Sequence, residues 1–170
     1  MAIRVGINGF GRIGRLFYRH ATVTGGIEIV AVNDLVPAPN LAYLLKHDTM
    51  QWKFMVNGKE AEVSSTDNSF TVNGKTTKTM SEKEPAKLPW KDLGVQYVLE
   101  STGLFTDFEK ASAHISAGAK RVMISAPTKS EPDKVPTFCM GVNESNYDPA
   151  KHTVISNGSC TTNCLAPIAK

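Results

Sequence analysis

Val5-Gly6-Ile7-Asn8-Gly9-Phe10-Gly11-Arg12-Ile13-Gly14 is the stretch on which the architecture turns. It joins a short β-branched run, Ile3 to Asn8, to glycines spaced G-x-G-x-x-G. The run has the character of a buried strand. Beyond it Ile13, Leu16, Phe17 and His20 recur at helical spacing, which predicts a helix opening inside the glycine run. Gly25-Gly26 breaks that helix, and Ile27 to Val32 reads as a second strand ending in Asn33-Asp34. A strand, a crossover helix and a second strand demand parallel pairing. In that setting each glycine has a physical role. Gly9 permits the tight turn, Gly11 lets backbone approach a pyrophosphate, and Gly14 lets helix and strand pack. The phosphates would rest on the helix N-terminus at Arg12-Ile13. Asp34 would accept hydrogen bonds from the adenosine ribose, and its charge would repel a 2′-phosphate, favouring NAD over NADP.

Outward from this unit the pattern continues. Pro37 and Pro39, then Leu41, Leu44 and Leu45, read as a turn and a short helix. From Trp52 to Ser81 two Asn-Gly signals, Asn57-Gly58 and Asn73-Gly74, predict antiparallel hairpins inserted before the parallel pattern resumes. Tyr97 to Glu100 is the next strand, with Ser101-Thr102-Gly103 at its C-terminal end, where open parallel sheets bind ligands. Thr106 with Glu109 reads as a capping box opening a helix through Ala117, with His114 beside its inner face as a surface or packing residue. Arg121 to Ser125, Thr137 to Val142 and Thr153 to Ser156 read as further strands. The expected fold is α/β, a doubly wound, mostly parallel sheet of the Rossmann type with an inserted antiparallel hairpin region.

A chain of 170 residues, 41% hydrophobic and 21% charged, has the composition of an ordinary globular domain. No segment is long or apolar enough to span a membrane, and the N-terminus reads as a strand rather than a signal peptide. The three cysteines, Cys139, Cys160 and Cys164, make neither a disulfide framework nor a zinc site, and the expected compartment is the cytoplasm. A net charge of +3, spread along the chain, gives no nucleic-acid footprint.

The last strand runs into Ser156-Asn157-Gly158-Ser159-Cys160-Thr161-Thr162-Asn163-Cys164-Leu165. Asn157-Gly158 turns the backbone and Ser159 is a natural N-cap, so Cys160 falls in the first turn of a helix. Unpaired N–H groups there favour a thiolate, the form that acts as nucleophile; on position alone the alternative is a buried structural thiol that packs like a small hydrophobe.

Five separated stretches together resemble the NAD domain and active-site segment of phosphorylating glyceraldehyde-3-phosphate dehydrogenase: Val5 to Arg15, Val32-Asn33-Asp34, Glu100 to Gly103, Ile124 to Pro127, and Ser156 to Pro167. The resemblance implies NAD as cofactor, held by Asn8, Gly9, Gly11, Arg12, Ile13, Gly14, Asp34, Lys83, Thr102, Gly103, Phe105 and Ser125. Lys83 stands where the family usually has an arginine near the adenine; a backbone contact would survive that change, a guanidinium contact would not. Cys160 would be the catalytic nucleophile, with Ser159 and Thr161 among the phosphate contacts and no metal. The implied partners are a small aldehyde substrate and inorganic phosphate, in a homotetramer. Residues 1–155 would form the NAD domain and 156–170 the start of a catalytic domain. The family's thiol-activating histidine lies later than Lys170, so the chain by itself is expected to be inactive. Alternatives are an NAD-binding fragment without chemistry, or a relative acting on erythrose 4-phosphate.

Overall fold

The computed structural model describes residues 2–170. Strand β1 (Ile3–Asn8) leads through the glycine loop into helix α1 (Arg12–Thr24), and β2 (Ile27–Asn33) returns parallel to β1. The face that α1 buries is Gly14, Tyr18, Arg19 and Ala21, while Ile13 is exposed. Of the stripe read from the sequence, Phe17 packs against the core while Ile13 and His20 are exposed, so it marks the helix and only part of its inner face. Helix α2 (Ala38–Lys46) has Pro39 in its first turn, where a missing N–H costs nothing.

Two Asn-Gly turns follow as expected. Asn57 and Gly58 have φ of 51° and 78°, Asn73 and Gly74 of 47° and 80°, the paired positive values of a type I′ hairpin. The first joins the short pair Met55–Val56 and Lys59–Glu60; the second joins β4 (Ser69–Val72) to β5 (Lys75–Met80), with β3 (Val63–Ser65) on the outer edge of β4. Strand β5 does something the sequence did not announce. It pairs antiparallel with β4 and, along Lys78 to Met80, parallel with β2, so the hairpin is built into the main sheet.

Strands β6 (Tyr97–Glu100), β7 (Arg121–Ile124) and β8 (Val154–Ser156) add in parallel on the other side of β1. The eight-stranded sheet runs β8-β7-β6-β1-β2-β5-β4-β3. Both faces of its centre are covered. Neighbours in sequence part company: Val32 and Leu99 join one cluster with Ile7, Phe10, Leu41 and Phe70, whereas Ala31 and Val98 join a second around Trp90. Phe10, in the glycine loop, is 1% exposed and stacks on Phe70 at 5.5 Å, which anchors the loop in the core.

Two expectations need correction. Thr106 does not cap a helix through Ala117. Asp107 is the cap, its Oδ1 accepting from Lys110 N at 2.9 Å, and the segment divides into α3 (Phe108–Ala111) and α4 (Ala113–Ser116). Thr137 to Val142 is not a strand: only Thr137 bridges to Ser156. The Asn143 side chain accepts from Cys139 N at 2.8 Å and donates to Thr137 O at 2.9 Å, pulling the backbone into a turn instead. The final helix α5 (Cys160–Ala169) buries none of its side chains, and Leu165 and Ile168 lie 65% and 78% exposed.

Candidate functional site

Six neighbouring strands run parallel, so their C-terminal ends form one edge. Along it stand, in order, Ser159-Cys160 after β8, Ser125 after β7, Ser101-Thr102 after β6, the glycine loop after β1, Asp34 after β2, and Glu82-Lys83 after β5. At roughly 4.8 Å per strand, the row spans about 24 Å.

From the end of β6 to that of β5 the row holds a cleft of about 500 Å³. Asn8, Gly9, Gly11, Asp34, Lys83, Thr102 and Phe105, all expected from the sequence, line it together with Ser101 of the expected strand-end turn and with Asn33, Leu35, Glu82 and Leu104, to which the sequence assigned no binding role. Gly103, in the next turn, has φ of 76°. The loop is stapled on both sides. Phe10 N donates to Asp34 Oδ2 at 2.7 Å, Gly9 N to Asn33 O at 2.9 Å, and Ser101 Oγ to Gly9 O at 2.6 Å. Asp34 thus holds the loop through one oxygen while Oδ1 takes Val36 N at 3.0 Å.

The glycines divide the work as their chemistry predicts. A Cβ on Gly9 would sit 2.6 Å from Thr102 N, and one on Gly14 would sit 2.3 Å from Gly9 O, so these two permit close packing. Around Gly11 nothing lies within 4 Å of such an atom: the space faces the cleft and is open. Helix α1 begins there with Gly11 as N-cap, no side-chain cap and no acid in its first turn. Its first N–H groups are free for an anion. Arg12 and Ile13 contribute backbone at this point; the Arg12 side chain lines a separate surface hollow with Arg15, Tyr43 and His47.

Beneath the cleft runs a buried polar chain that the sequence reading missed. Glu100, 1% exposed, receives Asn8 Nδ2 at 2.6 Å and His114 Nε2 at 2.9 Å on one oxygen, and Thr102 N at 2.9 Å and the Thr102 hydroxyl on the other. Asn33 Nδ2 donates to Asn8 Oδ1 at 2.7 Å, and Trp90 Nε1 to His114 Nδ1 at 3.0 Å. His114 had been read as surface or packing; the tryptophan and the acid that flank it lie 24 and 14 residues away.

At the other end of the row, Asn157 N donates to Ile124 O at 3.1 Å, seating the final loop beside Ser125. Ser159 caps α5 as predicted: its Oγ accepts from Thr162 N at 3.0 Å, and Thr162 Oγ1 from Ser159 N at 3.3 Å. Ser159 Oγ and Thr161 Oγ1 lie 2.7 Å apart at the helix mouth. Cys160 and Cys164 are exposed, Cys139 buried. Thr162 and Asn163, which had no assigned role, now have one each. Thr162 completes the capping box, and Asn163 Nδ2 ties the helix to Asn157 O at 2.7 Å. Neither Ser125 nor Ser159, Cys160 or Thr161 lines the cleft; they extend the row beyond it.

A glycine loop opening an uncapped helix, an acid at the end of the second strand and a cleft across the C-terminal strand ends together define a dinucleotide-binding domain of the Rossmann type. Residues 3–108 match the NAD binding domain of glyceraldehyde 3-phosphate dehydrogenase. Across essentially the whole chain, identity is 56% with glyceraldehyde-3-phosphate dehydrogenase of Streptomyces coelicolor, 54% with glyceraldehyde-3-phosphate dehydrogenase 1 of Trichormus variabilis and 53% with the enzyme of Geobacillus stearothermophilus. The alignments cover 100%, 99% and 100% of this chain and 48%, 47% and 48% of those relatives, respectively. The chain belongs to the glyceraldehyde-3-phosphate dehydrogenase family, with NAD as its cofactor, and spans about half the length of the curated relatives it matches.

Proposed function

We propose that this chain supplies the cofactor cleft and the nucleophile of an NAD-dependent, phosphorylating glyceraldehyde-3-phosphate dehydrogenase. The observation that carries the reading is the single sheet edge on which Cys160 and the NAD cleft stand in one row. Asp34 receives the adenosine ribose, the free N–H groups at Arg12-Ile13 receive the pyrophosphate, and Thr102, Gly103, Phe105 and Lys83 border the adenosine side. Ser125, one strand from Cys160, borders the nicotinamide end.

Cys160 attacks as thiolate: its sulfur bonds to the aldehyde carbon, and the carbonyl oxygen takes a proton, giving a hemithioacetal. NAD, held by Asp34 and the backbone N–H groups at Arg12-Ile13, would supply the hydride acceptor through which that carbon becomes a thioester, the hydroxyl proton passing to solvent. Inorganic phosphate then displaces the Cys160 sulfur, giving the acyl phosphate and restoring the thiolate. Covalent capture divides one hard step into easier ones and keeps the oxidation energy in the thioester. Ser159 and Thr161, at the mouth of α5, offer hydroxyls to the phosphate oxygens. Residues from Ser156 onward belong, on this reading, to the catalytic part, and the assembled enzyme is a cytoplasmic homotetramer.

Among the described residues no histidine hydrogen-bonds to Cys160. His114 is held in the buried chain, the His152 ring accepts from Asp148 N at 3.0 Å, and His20 and His47 are exposed. The missing general base is worth about 10²–10⁴-fold, so this chain alone is catalytically incompetent. Two measurements test the proposal. Iodoacetamide followed by peptide mass mapping is expected to label Cys160 before Cys164 and Cys139; equal labelling of all three removes its special role. Steady NADH formation by the chain alone from glyceraldehyde 3-phosphate, NAD and phosphate would sink the claim of incompetence.

A further inference from the structure

The polar chain under the cleft has one hydrogen arrangement, fixed by groups that can only donate. Trp90 Nε1–H has no acceptor capacity, so His114 Nδ1, 3.0 Å away, must offer its lone pair. The ring's hydrogen is then on Nε2, which donates to Glu100 Oε2 at 2.9 Å. At the far end Glu82 N donates to Asn33 Oδ1 at 2.8 Å, which turns the Asn33 amide nitrogen toward Asn8 Oδ1. Asn8 therefore presents its own amide nitrogen to Glu100, at 2.6 Å. Asn8 Nδ2 and His114 Nε2 lie 3.5 Å apart because both converge on Oε2. Thr102 N donates to Oε1, as does the Thr102 hydroxyl, whose own oxygen accepts from Leu104 N at 3.1 Å. Glu100 is thus surrounded by donors alone, which requires the ionised carboxylate with its lone pairs filled. Asn8, Thr102 and Leu104 line the NAD cleft; His114 and Trp90 do not.

We propose that His114 is a positioning residue: a neutral imidazole, locked by Trp90 in the Nε2–H form, that orients Glu100 so that its carboxylate holds Asn8 and Thr102 in place on the cleft floor. The proposal rests on the NAD-binding reading of the cleft and extends it to a residue outside the cleft. An amide can reproduce the imidazole's pattern of one acceptor toward Trp90 and one donor toward Glu100. His114→Gln therefore keeps the carboxylate oriented, whereas His114→Leu leaves both Trp90 Nε1–H and Glu100 short of a partner.

The test has two arms. In the unmodified chain, long-range ¹H–¹⁵N spectra of the imidazole near neutral pH are expected to show His114 neutral with its proton on Nε2; an Nδ1–H tautomer or an imidazolium overturns the proposal, whatever the variants do. In the second arm NAD binding is titrated calorimetrically on samples whose near-ultraviolet circular dichroism matches the unmodified chain. His114→Gln is expected to bind within about threefold of it and His114→Leu about tenfold or more weakly, the loss of one charge-assisted hydrogen bond. Native affinity in folded His114→Leu, or equal losses in both variants, overturns the proposal. If His114→Leu does not fold, His114→Gln and the tautomer decide. Absence of NAD binding by the unmodified chain would count against the cofactor reading for this chain and leave the tautomer result standing.

Discussion

Gly11 and Gly14 lie three residues apart in the same loop, and the structure assigns them opposite failures. An alanine at Gly14 would press its Cβ to 2.3 Å from Gly9 O, and that oxygen belongs to backbone pinned by Ser101 Oγ at 2.6 Å. The loop and α1 would have to separate by about 1 Å, an overpacking cost of up to about 3 kcal/mol. Alanine regains about 1 kcal/mol of helix propensity, leaving a net loss near 2 kcal/mol. For a domain of this size that corresponds to a fall in Tm of about 4–8 °C. Gly11 is different. Its φ of −70° suits any residue and nothing lies within 4 Å of the added carbon. Gly11→Ala is expected to lower Tm by no more than about 3 °C, through a poorer N-cap. The added methyl occupies the open face of the cleft before the helix N-terminus, so NAD affinity should fall at least about tenfold, the equivalent of about 1.4 kcal/mol. Scanning calorimetry with and without saturating NAD, plus isothermal titration, reads both effects. Native NAD affinity in Gly11→Ala, or a native Tm in Gly14→Ala, would refute the division of labour.

Three further outcomes are expected. Asp34→Asn keeps an acceptor for Phe10 N but removes the charge, so the preference for NAD over NADP, measured as a ratio of dissociation constants, should shrink by about tenfold or more; an unchanged ratio would mean that another group rejects the 2′-phosphate. Arg19 is buried, donates to the carbonyls of Leu45, Gln51 and Trp52, and lies over the Phe54 ring at 5.2 Å. Arg19→Met strands those carbonyls and should cost about 3 kcal/mol in urea unfolding, whereas a loss below about 1 kcal/mol would show that water replaces the guanidinium. Burial pushes the Tyr18 hydroxyl above its ordinary value of 10.0, only partly offset by its hydrogen bond to Thr77. Above pH 10 the unfolded chain therefore releases this proton first, fewer protons are bound unfolded than folded, and stability declines until the folded hydroxyl also ionises. Tyr18→Phe should flatten that alkaline decline, and an unaltered slope would place its origin elsewhere.

What the sequence disclosed and what it concealed divide by range. The first βαβ unit was readable because its strands, glycines and acid all fall within residues 3–34 and each obeys a local rule. The Asn-Gly turns and the Ser159 cap were readable for the same reason. Strand β5, Lys-Thr-Thr-Lys-Thr-Met, was visible only as half of a hairpin. Its parallel partnership with Ala31 to Asn33 is non-local, and its polar composition is unlike that of a central parallel strand. Thr137 to Val142 carries strand-forming residues, but the Asn143 amide outcompetes the ladder. The contacts of Glu100 span from 2 residues to Thr102 up to 92 to Asn8, and no periodicity encodes a network of that kind. Lys83 reached the cleft as expected, whereas its neighbour Glu82 and the wall residue Leu104 sit in loops where spacing carries no signal.

The position of β1 in the sheet has a consequence for synthesis from the N-terminus. Its β2 side can pair as soon as Asn33 is made, and β5 completes that half of the sheet at Met80. Its other edge waits for Tyr97 to Glu100. At about 5–20 residues per second, the roughly 20 residues between Met80 and Glu100 keep that edge of the nascent sheet bare for about 1–4 s. The bare edge belongs to Val5-Gly6-Ile7-Asn8, uncharged and partly apolar, a row of unpaired backbone groups that a second nascent chain on the same message could extend. Arrival of β6 closes it in register, Val5 against Tyr97 through Asn8 against Glu100. The last residue of that zipper is the carboxylate that gathers the cleft floor, so in a growing chain the aggregation-prone edge is covered and the NAD cleft acquires its floor in one co-translational event.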